Sequence, residues 1–202
     1  DKISIYWNKV YEPDHLKLDK EIEKILEKKD IPFKFFKGNI LNEYHSITKN
    51  DGTPFKVFSP FWRNAEQVFL DAVPQKSSEI KKLKSKKTIF NSKDTFKQIM
   101  PKKDWFKKFD QYWKPSEDEA HKNLKEFISN RISKYGVDRD YPSINGSSKL
   151  SPYIRNGQIH VAAIYEKSSK DIKKNISIRK YINELGWREF SHLSLIHISE
   201  PT

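Results

Sequence analysis

The amino-acid sequence predicts an α/β stretch followed by an all-α half, joined by a long connection. Three observations carry that reading. Residues 3–36 alternate a strand pattern, a helix pattern and a second strand pattern. Residues 53–115 have weak periodicity and many lysines. Beyond Pro115, apolar residues recur at helical spacing and no strand pattern returns.

Residues 3–7, ISIYW, form a β-branched and aromatic run and are read as a strand. Pro13 opens a helix over about 14–29, with Leu16, Leu18, Ile22, Ile25 and Leu26 on its apolar face and Asp14 in its first turn. Lys-Asp-Ile-Pro ends it, and residues 33–36, FKFF, are the next strand. Strand, helix, strand is the unit of a parallel sheet. Asn50-Asp51-Gly52 marks a turn. The stretch that follows carries Lys81 to Lys108 among scattered aromatics such as Phe61, Trp62, Trp105 and Trp113. It reads as a connection crossing a domain surface, with short helices at most. Its aromatics either anchor a solvated linker or stack on single strands.

In the second half, Ser116 and Glu119 have capping-box spacing, and Ala120, Leu124, Phe127, Ile128 and Ile132 form a stripe at helical period. Gly136 is the expected stop. Ser151 as N-cap and Pro152 in the first turn start a helix that runs into the 160s. The last helix covers about 176–190. Residues 194–202 restore no helical stripe, and SLIHISEPT looks like translated read-through of an adapter. With Asp1 in first place, both ends read as truncations.

Composition sets broader limits. A chain of 202 residues makes one or two domains. Lys and Arg number 39 against 27 Asp and Glu, a net charge of +12. Such an excess favours polyanionic partners, nucleic acid first and an anionic membrane second; a lysine-rich composition with no partner is the plainer reading. The absence of Cys excludes disulfides and thiolate metal sites and fits a reducing, cytoplasmic compartment. No His–carboxylate spacing suggests a metal. No apolar run approaches the roughly 18 residues of a membrane span.

Two segments carry chemistry. In GSSKLSPYIR, residues 146–155, Ser147, Ser148 and Ser151 offer hydroxyls, Lys149 a compact positive charge, and Gly146 close backbone approach. A helix start with free amides suits a phosphate, while hydroxyls there are also ordinary caps. The spacing matches neither the P-loop nor the dinucleotide fingerprint. In SIRKYINELGWREF, residues 177–190, Tyr181, Glu184 and Arg188 share one helix face with Trp187 beside them. An aromatic plane, a carboxylate and a guanidinium together could stack on a base, accept its ring N–H groups and hold an anion. An amphipathic helix with a surface Glu–Arg pair explains the same spacing.

Read together, GSSKLSPYIRNGQI and, about 30 residues later, NELGWREF resemble the DNA photolyase/cryptochrome family, closest to its class I cyclobutane dimer photolyases. There the pattern is Gly-Thr-Ser-Arg/Lys-Leu-Ser-Pro-Tyr, then Glu-Leu-x-Trp-Arg-Glu-Phe. IYWNKVYEPDHLKLDKEI is similar to the family's fourth strand and following helix, and DGTPFKVFSPFWR to the end of its α/β antenna domain.

The resemblance implies a partial Rossmann-like antenna domain over 1–62, an interdomain connection over 63–114, and the start of a helical FAD-binding domain over 115–193. It implies light-driven opening of cyclobutane pyrimidine dimers in ultraviolet-damaged DNA, a carbon–carbon lyase activity, by a monomer that the piece alone does not sustain. The alternative is a cryptochrome-type blue-light receptor. Tyr135, Ser147, Ser148, Lys149, Leu150, Ser151, Tyr181 and Arg188 are implied flavin contacts. Arg139, Glu184 and Trp187 are implied contacts to DNA and to the flipped dimer. No catalytic side chain and no metal ligand is assigned. FAD is the implied cofactor, with room in the family for a second chromophore of folate or deazaflavin type that this sequence does not identify. Two departures stand out. His160-Val161-Ala162 replaces a frequent Ser-Pro-Arg, and Tyr181 stands where relatives carry Trp. Asp14 and His15 match the antenna pocket only weakly.

Overall fold

The computed structural model describes residues 3–43, 46–69, 98 and 100–199. Lysines 81–97 of the basic connection and residues 200–202 of the tail lie outside them. By contacts, the chain divides into one unit of residues 1–74 with 116–202 and a second of residues 75–115.

The first unit begins with β1 (Ile5–Asn8), α1 (Pro13–Lys28) and β2 (Phe33–Phe36). β1 and β2 pair in parallel, Ile5 opposite Phe33 and Asn8 opposite Phe36, as the alternating pattern predicts. Pro13 starts α1 where its missing N–H costs nothing, and Asp14 meets the positive end of the dipole. The turn at 50–52 forms, with Asp51 accepting from the Thr53 amide at 2.9 Å.

α2 (Phe58–Phe69) was not separated from the connection by sequence periodicity. Phe61, Trp62 and Ala65 are buried along it, a stripe three and four residues apart. Within the second unit, the described residues include a run of 3-10 turns, Asp104–Gln111, whose Trp105 and Phe109 are exposed.

α3 (Glu117–Asn130) starts as predicted: the Ser116 hydroxyl accepts from the Glu119 amide at 3.1 Å. Ala120, Leu124, Phe127 and Ile132 are all buried. Gly136 is not the stop. α3 ends at Asn130, and Gly136 lies inside the short α4 (Tyr135–Asp138). There a Cβ would sit 2.9 Å from both Ser177 Oγ and Lys180 Cδ, so the glycine serves close helix packing instead.

The helix expected from 152 into the 160s is two helices, α5 (Ser151–Arg155) and α6 (Val161–Ser168). Asn156-Gly157 ends the first, and His160 caps the second, its Nδ1 accepting from the Ala162 amide at 3.1 Å. Ser151 is not an N-cap: it is the first helical residue, and Leu150 before it makes no side-chain cap. α7 (Ile176–Ser199) begins where Asn175 Oδ1 accepts from the Ser177 amide at 2.7 Å. It runs past the expected end at 190, because neither Gly nor Pro interrupts it after Gly186 until Pro201.

α7 is the central member. Ile178, Ile182, Leu185 and Leu193 bury one side of it. Two polar clamps hold it. Arg179 donates to Glu66 on α2 at 2.8 and 3.0 Å, and the Tyr165 hydroxyl on α6 donates to the same carboxylate at 2.9 Å. Farther along, buried Glu189 accepts from the Leu41 amide at 2.7 Å, tying α7 to the segment after β2.

Candidate functional site

Two neighbouring depressions share Arg139. One, about 390 Å³, is lined by Asp138, Arg139, Tyr141, Ser147 and Lys149 among others. The second, about 290 Å³, is lined by Gly136, Arg139, Asp140, Lys180, Asn183, Glu184 and Trp187.

The loop at the first depression is shaped by Arg131, at the end of α3. Its Nη1 donates to the carbonyls of Asn145 at 3.2 Å and Ser147 at 2.8 Å, and its Nη2 pairs with Glu126. A trans peptide points C=O and the next N–H to opposite sides, so this clamp turns the Ser148 amide away from Arg131. Lys149 then takes a left-handed φ of 55° and Leu150 a right-handed φ of −89°. Left-handed followed by right-handed backbone gathers successive amides into a concavity that suits an anion. The amides of Ser148 and Lys149 hydrogen-bond to no other described residue. Gly146 makes the path possible, since a Cβ there would lie 2.6 Å from Asp138. The anion reading therefore rests on the loop itself; α5 is too short for much of a helix dipole.

Tyr135 and Tyr181 form a buried aromatic pair. Their rings meet edge to face at 5.0 Å and 82°, and Phe127 packs on both. Burial pushes both phenols above their ordinary pKa, so both stay protonated donors. Arg139 opposes that shift at Tyr135 and Ser148 opposes it at Tyr181, which places Ser148 beside the Tyr181 hydroxyl. Leu150 is buried in the core, and Ser151 is exposed on α5.

In the second depression, Arg139 Nη1 pairs with Glu184, and its Nε lies 3.5 Å from Asp140. The Glu184 carboxylate raises the guanidinium's pKa further. Trp187 is 46% exposed, which leaves part of its indole open, while Phe58 stacks on it at 3.8 Å and 9°. Lys180 Nζ donates to the Gly136 carbonyl at 3.2 Å.

Arg188 lines neither depression. It is largely buried and donates to Glu189 at 3.0 Å. Burial lowers its pKa, against the pull of Glu189. Of the sequence-predicted residues, Ser147, Lys149, Arg139, Glu184 and Trp187 thus line two adjoining depressions; Tyr135 and Tyr181 are buried and line neither, and Arg188 stands apart.

A larger cleft, about 690 Å³, lies at the C-terminal ends of β1 and β2, where open α/β sheets commonly bind ligands. Lys9, His15, Lys37, Arg155 and His160 line it, and Asp14 does not. Burial holds His160 below its ordinary pKa, so it enters as a neutral ring. Among the described residues, no group of three or more His, Cys, Asp and Glu is placed to hold a metal, and no helix is long and apolar enough to cross a membrane.

Sequence reasoning missed Arg131, Lys180 and Phe58. Lys180 was accessible, four residues before Glu184 on the same helix face. Arg131 and Phe58 act across long chain separations that no local pattern records.

A family model described as DNA photolyase matches residues 3–79. The deoxyribodipyrimidine photo-lyase of Agrobacterium fabrum is 30% identical over 203 aligned residues, covering 98% of this chain and 42% of the relative. The solved bacterial class III photolyase of Agrobacterium tumefaciens superposes with a TM-score of 0.79 at 27% identity, over 96% of this chain and 41% of that one. An archaeal photolyase of Sulfolobus tokodaii, solved with two FAD molecules, shares the fold at a TM-score of 0.62 and 20% identity, over 94% of this chain and 38% of its own. The chain spans about two fifths of the length of these relatives. The chain thus matches the DNA photolyase model over residues 3–79 and is similar along almost its whole length to these photolyases in sequence and in α/β-then-helical fold.

Proposed function

We propose that the protein containing this chain is a deoxyribodipyrimidine photo-lyase, which opens cyclobutane pyrimidine dimers in ultraviolet-damaged DNA with light. The observation that carries this reading is the convergence of Arg139, Glu184 and Trp187 on one open depression beside the 147–150 loop. A flipped base needs a flat apolar face and polar partners for its ring edge, and Trp187 and Glu184 offer both. A dimer is poorly stacked, so flipping it out costs less than flipping an intact pair. The net charge of +12 supplies salt-dependent affinity for phosphates. The similarity to a class III photolyase widens the class I-like expectation to the photolyases as a group.

The cofactor of this reading is FAD. The concave amides at 148–150, the hydroxyls of Ser147 and Ser148 and the Lys149 ammonium fit its phosphates. When bound and reduced, FAD supplies the photoexcited electron that opens the ring and is afterwards recovered. Around it, this chain's residues bind and orient: Lys149 and the free amides hold negative charge, and Glu184 accepts hydrogen bonds from the flipped base. Arg139 fixes the Glu184 carboxylate. The cleft at the strand ends is our candidate for a second chromophore, because its lysines, Arg155 and neutral His160 suit an anionic, hydrogen-bonding ligand. We read the protein as a cytoplasmic monomer with damaged DNA as its partner.

Binding to matched oligonucleotides with and without a single dimer tests the site. Glu184→Gln and Trp187→Ala should weaken dimer-containing DNA well beyond intact DNA. Equal losses on both would remove these residues from dimer recognition.

A further inference from the structure

The Trp187 indole does not stand alone. Phe58, the first residue of α2, lies parallel to it with ring centroids 3.8 Å apart and planes 9° from coincident. Phe58 is itself held. Trp62 lies nearly parallel at 6.5 Å and 11°, and Phe190 meets it edge-on at 6.1 Å and 70°. Phe190 also meets Trp187 edge-on at 6.0 Å. α2 is in turn fixed to α6 and α7 through Glu66, Tyr165 and Arg179. The Phe58 plane is therefore set by buried, hydrogen-bonded structure, and the half-open indole is seated on it.

A stacking platform is effective only when its plane is fixed before the base arrives, because ordering a free side chain on binding subtracts from affinity. The geometry points to Phe58 as the positioning residue that presents the open face of Trp187 to the flipped base. It closes one face of the indole and fixes its tilt, while the exposed part of the indole lines the depression shared with Glu184. Base, Trp187 and Phe58 form a three-layer stack, with the bottom layer contributed by a segment distant in sequence from the helix that carries the middle one. This assignment rests on the dimer-binding reading above.

The test uses the intact protein and the ratio of its dissociation constants for intact and dimer-containing DNA. Phe58→Leu and Phe58→Met keep apolar bulk but lose the flat ring, whereas Phe58→Tyr keeps the ring. Circular dichroism and affinity for intact DNA report whether each variant is folded. An aromatic pair is typically worth about 0.5–1.5 kcal/mol, so Leu and Met should lower the ratio about 2- to 10-fold while Tyr preserves it. In a Trp187→Ala background, Phe58→Leu should produce no further fall, since the group it positions is gone. A folded Phe58→Leu with the wild-type ratio, or an equal fall with and without Trp187, would overturn the role of Phe58 alone. A wild-type protein with no dimer preference, or an unchanged ratio in Trp187→Ala, would overturn the dimer-binding reading together with it.

Discussion

Replacing Glu189 with Gln should remove a pH dependence from the stability of the fold. Glu189 is 5% exposed, accepts from the Leu41 amide at 2.7 Å, and pairs with Arg188 at 3.0 Å. Burial outweighs those partners and pushes the carboxyl up to about 7 from an ordinary 4.5. In the folded chain it therefore keeps its proton across a range where the unfolded chain has lost it. Between pH 4.5 and 7 the folded state binds more protons, so stability falls as pH rises. A rise from 4.5 to about 7 corresponds to about 3 kcal/mol lost across that window. Gln cannot ionise, so the variant lacks this loss. Urea unfolding of both proteins at pH 4.5, 6 and 8 measures it, because other titrating groups largely cancel in the difference. The stability of Glu189→Gln relative to wild type should rise by about 3 kcal/mol from pH 4.5 to 8. Parallel curves would show that Glu189 is ionised throughout, and that Arg188 and the amides outweigh desolvation.

Three further outcomes are expected. Ser116→Ala removes the acceptor for the Glu119 amide and should destabilise the fold by about 1 kcal/mol in thermal or urea unfolding, with an unchanged m-value. Arg131→Ala frees the carbonyls of Asn145 and Ser147 and unsets the loop amides, so flavin affinity should fall by an order of magnitude or more in equilibrium titration, given about 1.5–3 kcal/mol for a charged hydrogen bond. Lys180→Gln removes a cation from the depression that makes no ion pair with another described residue. It should weaken dimer-containing and intact DNA equally and reduce the slope of log affinity against log salt by about 0.9, one phosphate contact.

Much of this was legible in the sequence because it is local. The strand–helix–strand start, the Ser116 cap and the Leu124–Phe127 stripe each follow from residues within a turn or two of one another. The breaks were less legible. Asn156-Gly157 and a capping His160 divide what Ser151-Pro152 suggested was one helix, because His is not among the usual caps. Gly136 read as a stop, but it is there so that α7 can pass within contact of α4. α2 was hidden because its short apolar stripe precedes a long run of lysines. For the site, GSSKLS and NELGWREF supply side chains that line the two depressions, yet their support comes from elsewhere. The clamp by Arg131, the seat under Trp187 at Phe58 and the diversion of Arg188 to Glu189 are tertiary contacts, and no spacing rule encodes them.

The most direct test is the loss of cyclobutane dimers from an ultraviolet-irradiated oligonucleotide incubated with the intact, flavin-reduced protein under blue light and in the dark. Dimers should disappear in the light only, and Glu184→Gln or Trp187→Ala should slow the loss at limiting enzyme. Flavin bound with dimers unchanged in the light would contradict the photo-lyase reading and leave a cryptochrome-type receptor in its place.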